Sequence, residues 1–252
     1  MTQQVDEALY LAAIARVCRG SNVIGVAFFV AEGYLLTCAH VVAKALNHNR
    51  KSYQLPAAEI LGQEITLQFR LGNAEKSAEA KVVYWRFPEH DPRSDNDVAV
   101  LKLQEPMPDG TQSFSLSPSL EYWDQAFRVL GFPSKLDEGG WATGIIQGKV
   151  YDTSGLVQMK DNQTTGYAIE PGFSGSPVWS PSLNDTIVGM TVARDKEREE
   201  AKVGFMLPVL RLKRALEAVE LESLMDILEP QASALGNERV CKVVCVRYGI
   251  AT

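Results

Sequence analysis

Three short passages carry side chains that could do chemistry together. LLTCAHVV places His40 at the end of an apolar run, and imidazole is the side chain whose ordinary pKa suits it to general-base work near neutrality. SDNDVAVLKL has Asp97 at the mouth of a strand that otherwise reads as core. A carboxylate there would orient an imidazole through its Nδ1 proton. IEPGFSGSPVW holds Ser174 between Gly172 and Gly175, with Pro171 and Pro177 outside them, a composition suited to a tight turn that presents the hydroxyl. The Gly172 and Ser174 amides would then converge as an oxyanion hole. Each passage alone reads as structural: a core histidine, a strand-entry aspartate, a Gly/Ser turn. Together, in the order His, Asp, Ser with gaps of 57 and 77 residues, they read as an apparatus for acyl transfer.

The competing nucleophile is Cys38, two residues before His40 on what reads as one strand. The two side chains would share a face, with no Gly-flanked turn to expose the sulfur, so Cys38 is expected to be a buried core thiol. His48 and His90 sit in polar, loop-like surroundings and read as solvated surface residues.

Short β-rich runs must position these groups. AIARVC, VIGVAFFVA, GYLLTCAHVV, EITLQFRLG, AKVVYWRF and DVAVLKL precede a Pro, Ser and Asp-rich connector over about 104–125. AFRVLGFP, WATGIIQGKVYD, LVQMKD, TGYAIE, SGSPVWS, DTIVGMTVA and KVGFMLPV follow it. No helical pattern intervenes to make parallel crossovers, so the fold class is all-β in two halves, either two small antiparallel barrels or a two-lobed sandwich. From Leu207 to Pro230 the apolar residues Leu210, Ala215, Leu216, Val219, Leu224 and Leu228 fall at helical spacing, predicting a C-terminal amphipathic helix. RVCKVVCVRY reads as a short terminal strand.

The composition narrows the function classes. With 46% hydrophobic and 22% charged residues the chain is globular, and a net charge of −6 without basic blocks speaks against nucleic acid or an anionic membrane as partner. No apolar run reaches membrane-spanning length, and the N-terminus has acidic residues where a secretory signal carries basic ones, so the protein is read as cytoplasmic. Four cysteines in 252 residues indicate no disulfide framework. Cys241 and Cys245 would share one face of a strand; without a second Cys/His pair, two buried thiols are expected rather than a zinc site.

GVAFFVAEGYLLTCAHVV, NDVAVLKL, PGFSGSPV, IVGM and GFMLPV together resemble the trypsin-like (chymotrypsin-fold) serine peptidases of the bacterial Deg/HtrA-like type, over roughly residues 10–215. The resemblance implies two six-stranded antiparallel β-barrels, about 10–105 and 125–210, forming a peptidase domain over 1–215 with the C-terminal helix and tail over 208–252. It implies a triad of His40, Asp97 and Ser174 with the oxyanion held by Gly172 and Ser174, and peptide-bond hydrolysis of a protein or peptide substrate without metal or organic cofactor. The substrate pocket would be lined by Ala168, Ile169, Val192, Arg194 and Gly204. With no carboxylate at its base it would favour small or medium apolar P1 residues, or acidic ones if Arg194 swung inward.

Three departures bear on activity. Phe173 stands where digestive members have the Asp that pairs with a freed N-terminal amine, so it needs an apolar pocket, supplied by a partner or by the C-terminal segment. Ser176 replaces the second Gly of the usual pair and should be tolerated. The 44 residues after Pro208 leave no room for the peptide-binding module of Deg proteins. The resemblance therefore points to an intracellular peptidase triggered by a partner protein in a bacterial defence or signalling system. The alternative is a catalytically latent peptidase-fold module that binds peptides or partners.

Overall fold

The structure is a computed structural model that describes residues 7–31, 33–48, 55–87, 96–117, 123–134, 136, 138–150, 155–161, 168–194 and 203–219. The apolar runs form twelve strands in two closed barrels. β1 (Ile14–Arg19), β2 (Asn22–Ala31), β3 (Tyr34–Thr37), β4 (Glu64–Leu71), β5 (Ala74–Arg86) and β6 (Val98–Leu103) build the first. Its order around the barrel is β1-β2-β3-β6-β5-β4, with β4 pairing back onto β1. β7 (Ala126–Gly131), β8 (Gly140–Lys149), β9 (Val157–Asp161), β10 (Pro177–Ser180), β11 (Thr186–Arg194) and β12 (Val203–Pro208) build the second. Read from β7 its order is β7-β8-β9-β12-β11-β10, the same wiring. Barrels are therefore the outcome of the two possibilities left open by the sequence.

Sheets of six short strands close only if they curl, and β-bulges supply the bend. The register shifts at 17/18, 29/31 and 82/84 in barrel one, and at 146/148, 178/179 and 191/193 in barrel two. β8 alternates buried and half-buried residues along its length, as a strand with one face on the core must. β5 begins in the largely exposed stretch AEKSAE, which the apolar pattern does not reveal, so this strand starts six residues before AKVVYWRF.

Among the described residues four short α-helices accompany the barrels: α1 (Glu7–Leu11), α2 (Ala39–Ala45), α3 (Ala57–Ile60) and α4 (Val209–Glu217). Three of the four depart from the sequence reading. His40 lies in α2, because β3 ends at Thr37. Neither α1, which precedes β1, nor α3 was foreseen. In TGYAIE, residues 168–170 form loop, not strand. α4 buries Val209, Leu212, Ala215 and Leu216 and packs on β6, β11 and β12, thus on both barrels. The continuation of that helix through Leu224 and Leu228, the terminal strand, Cys241 and Cys245 lie outside the described residues. The described part of the connector is tied down at Gln112 and Ser117: Gln112 N–H donates to Ala12 O (3.0 Å), Ser117 N–H to Ile187 O (2.8 Å) and Lys213 Nζ of α4 to Ser117 O (3.2 Å). Among the described residues no helix is long and apolar enough to cross a membrane.

Candidate active site

The register of the β3–β6 pair brings His40 and Asp97 together. Thr37 faces Ala99, so the two chains continue antiparallel past that point and Asp97 meets the start of α2. Trp85 Nε1 donates to Ala39 O (3.1 Å) and holds the first turn of the helix to β5. The Asp97 carboxylate then accepts twice from one residue: His40 N–H reaches Oδ1 at 2.9 Å, and His40 Nδ1 lies 2.6 Å from Oδ2. An ionised carboxylate only accepts, so Nδ1 carries the proton and Nε2 is left as the basic nitrogen. The Asp97 side chain is 4% exposed and that of His40 15%, which leaves the ring an open edge.

Ser174 belongs to the loop before β10. Pro171 and Gly172 occupy the central positions of a turn closed by Phe173 N–H to Glu170 O (3.1 Å), and Gly172 takes φ +109°. Pro followed by a residue of positive φ is the signature of a type II turn. Gly175 follows at φ +86°, and Ser176 N–H donates to Phe173 O (3.0 Å). Barrel one takes hold of this loop. Val26 N–H donates to Ser174 O (2.9 Å), and a Cβ on Gly175 would stand 2.0 Å from Val26 O. A Cβ on Gly25 would stand 2.7 Å from Ser174 O and 2.7 Å from a Val41 methyl. Gly25 is thus the point where the Ser174 backbone and the helix that carries His40 close on one another. No hydrogen bond joins Ser174 Oγ to the His40 ring in this structure.

The backbone donors of the loop divide into two groups. Phe173, Gly175 and Ser176 all donate within the protein, Gly175 to Thr191 O at 2.8 Å. Among the described residues the Gly172 and Ser174 amides have no protein acceptor. Two unpaired donors separated by one residue in a glycine-bent turn can receive an oxygen that gains negative charge.

Cys38, between β3 and α2, is fully buried, and its thiol donates to Thr191 O at 3.3 Å. Burial, reinforced by the Asp97 charge, pushes this thiol well above its usual pKa. The expected buried thiol is found, but for a reason other than the shared strand face, since His40 is helical. The ligand atoms of Cys38, His40 and Asp97 lie within 4.8 Å of one another. The S–H already donates to Thr191 O and Nδ1 is bonded to Asp97, so the three groups are engaged within the protein.

Of the residues expected to line a substrate pocket, Ile169 packs directly on Gly204, where a Cβ would stand 2.7 Å from the Ile169 side chain. The Gly204 backbone pairs with Arg194 across β11 and β12; Val192 is buried on β11 and Ala168 is half-buried. Phe173 needs neither a partner nor the C-terminal segment to cover it. It is fully buried in the core of barrel two, against Gly131. Ser176 is buried as well, its hydroxyl without a hydrogen-bond partner, and its small size fits. Residues that the sequence did not single out are Gly131 and Phe132, whose N–H donates to Gly172 O (3.1 Å), and Thr191, whose carbonyl receives both Gly175 and Cys38. A glycine followed by Phe-Pro at the end of β7 was the only local signal of the first pair.

A family model described as the trypsin-like peptidase domain matches residues 25–190, about two thirds of the chain. The chain belongs to this family. Solved structures similar to this peptidase domain include the Rv3671c protease of M. tuberculosis in its active form, at 20% identity and a TM-score of 0.58 over 84% of this chain and 83% of that one. The serine endoprotease of Yersinia pestis matches at 17% identity and TM-score 0.60, over 87% and 67%. The MamO protease domain of Magnetospirillum magneticum matches at 18% and 0.54, over 82% and 96%. At such identities the likeness is one of fold. No curated protein sequence matches the trypsin-like peptidase chain.

Proposed function

We propose that this protein is a serine endopeptidase in which Ser174 is the nucleophile, His40 the general base and Asp97 the group that orients the imidazole and stabilises the imidazolium it becomes. Ser174 Oγ attacks the scissile carbonyl carbon as its proton passes to His40 Nε2, and the carbonyl oxygen, now an oxyanion, is received by the Gly172 and Ser174 amides. His40 returns the proton to the leaving amine, the C–N bond breaks and an acyl ester remains on Ser174. Water, deprotonated by His40, then releases the acid and restores the hydroxyl. Asp97 would accept from Nδ1 throughout, in keeping with the 2.6 Å contact, and so select the tautomer with a basic Nε2.

The observation that carries this reading is the division of the loop amides: three donate within the protein, and the two that do not are Gly172 and Ser174. The latent binding module is the second reading, favoured by the missing Ser174–His40 hydrogen bond. Labelling the full chain with a fluorophosphonate separates them. Reaction that disappears in Ser174→Ala supports the peptidase; equal labelling of both, or of neither, overturns it.

Two finer points complete the proposal. The substrate is a protein or peptide with a small or medium apolar P1 residue, in keeping with Ile169 lying over Gly204. The setting is intracellular, in keeping with Cys18 and Cys38 as free, buried thiols. A partner that triggers the enzyme would have to act somewhere other than on Phe173, which the chain itself buries.

A further inference from the structure

The loop with the two unpaired amides has a single large apolar side chain at its centre, and that side chain is anchored away from the cleft. Phe173 has no exposed surface and forms part of the barrel-two core with Phe127, Val129, Val178, Val188 and Met206. Its place exists because residue 131, the last of β7, has no side chain. A Cβ on Gly131 would stand 2.4 and 2.6 Å from the Phe173 ring and 2.9 Å from its Cα, all well inside van der Waals contact. The next two residues hold the neighbouring turn. Phe132 N–H donates to Gly172 O at 3.1 Å, and a Cβ on Gly172 would stand 2.3 Å from Phe132 O and 2.7 Å from Pro133 Cα. The segment 131–133 therefore seats the ring of Phe173 and fixes the peptide that joins Gly172 to it.

We propose that Phe173, seated in a socket floored by Gly131, is the positioning residue that holds the Gly172 and Ser174 amides in their anion-receiving arrangement. The geometry is then set by the core of barrel two and requires no ion pair with a freed N-terminal amine. This inference rests on the peptidase reading for its consequence, a loop competent in the uncleaved chain, but its structural content stands apart from activity. The ring cannot leave the socket without exposing a large apolar surface, and it cannot leave without dragging along the amides on either side of it. An aspartate at this position would be held by one charged partner, whereas the phenyl ring is held on all sides by packing.

The test uses Gly131→Ala, Phe173→Leu and the double variant in the full chain. Gly131→Ala should displace the ring and with it the turn, lowering kcat and the fluorophosphonate labelling rate by about 10²-fold, the effect of losing one oxyanion donor, with KM little changed. Phe173→Leu leaves the socket partly empty and should lower kcat less. In the double variant the added methyl takes up the space given back by the smaller side chain, so most of the lost rate should return. A residue that served stability alone would move the melting temperature without this split between kcat and KM and without mutual rescue. Hydrogen exchange at the Gly175 and Ser176 amides reads the socket independently of activity: protection should fall in Gly131→Ala and return in the double variant. Gly131→Ala with wild-type labelling and exchange, or a double variant no better than Gly131→Ala, overturns the proposal. If Gly131→Ala does not fold, Phe173→Leu decides, and unchanged kcat and exchange there overturn it. If the wild type shows no Ser174-dependent labelling, the peptidase reading falls, and unchanged exchange in Gly131→Ala is what would sink the socket.

Discussion

Under the proposed function Ile169 is the side chain that would set what the cleft accepts. It is 7% exposed and packs on Gly204, the position in β12 where any side chain would collide with it. In the proposed pocket the isoleucine would take up space that a long P1 side chain needs. Ile169→Ala is expected to shift preference from Ala or Val at P1 toward Leu or Phe by about tenfold or more in kcat/KM, the usual worth of the methylenes exchanged. Peptide-library profiling of both proteins measures it, and an unchanged P1 profile would remove Ile169 from the pocket. Most of the residue-scale arrangement could be read from the sequence, because His40, Asp97 and Ser174 each stand in a short motif of unusual composition. Their partners could not. Gly131 and Phe173 are 42 positions apart, and a glycine that makes room for a ring elsewhere in the chain leaves no local pattern. Ile169 and Gly204, by contrast, were brought to one pocket by the family resemblance, though no local pattern shows that they touch.

Among the elements, α1 contributes Tyr10, a side chain that joins it to barrel two. Tyr10 stacks on Phe114 of the connector at 5.2 Å between ring centroids and meets the edges of Trp141 on β8 and Trp179 on β10 at 5.2 and 4.9 Å. Arg128 on β7 donates to its hydroxyl at 3.3 Å. Burial, and then the nearby Asp185 carboxylate, push the Tyr10 phenol from 10.0 up to about 12. The folded state thus keeps the Tyr10 proton in a range where the unfolded chain has released it. Its contribution to stability is complete below pH 10 and is lost as pH rises toward 12. Urea titrations at intervals across that range should show the midpoint falling in the wild type, with a shallower fall in Tyr10→Phe. Identical slopes would mean that the phenol is not the group responsible. Legibility at this scale followed the apolar period. Strands that alternate, such as β8, announce themselves, whereas the exposed first half of β5 and helices of four to seven residues are stabilised by their neighbours and carry too few turns to show a period.

The molecule as a whole depends on contacts between halves that the connector and α4 keep together. His40 and Asp97 come from barrel one, Ser174 from barrel two, and Val26 N–H to Ser174 O crosses between them. A chain starting at residue 105 retains Ser174 and its loop but loses Gly25, Val26 and the His40–Asp97 pair. It should give no fluorophosphonate labelling above the Ser174→Ala background; labelling at the full-chain rate would show that barrel one is not needed for the site.

This division of labour also orders events in time. The contacts that pair His40 with Asp97 lie within residues 14–103, so they can form while the rest of the chain is still being made. Ser174 is translated 77 residues after Asp97, roughly 4 to 15 s later at 5–20 residues per second, and its loop is seated only once Gly131 and β11 are in place to receive it. Throughout that interval the nascent chain would hold the proposed base without the proposed nucleophile. The bond from Val26 to Ser174 that joins the barrels cannot form before Ser174 has been made, so on the proposed reading the ribosome-bound chain and its neighbours would be spared premature cutting.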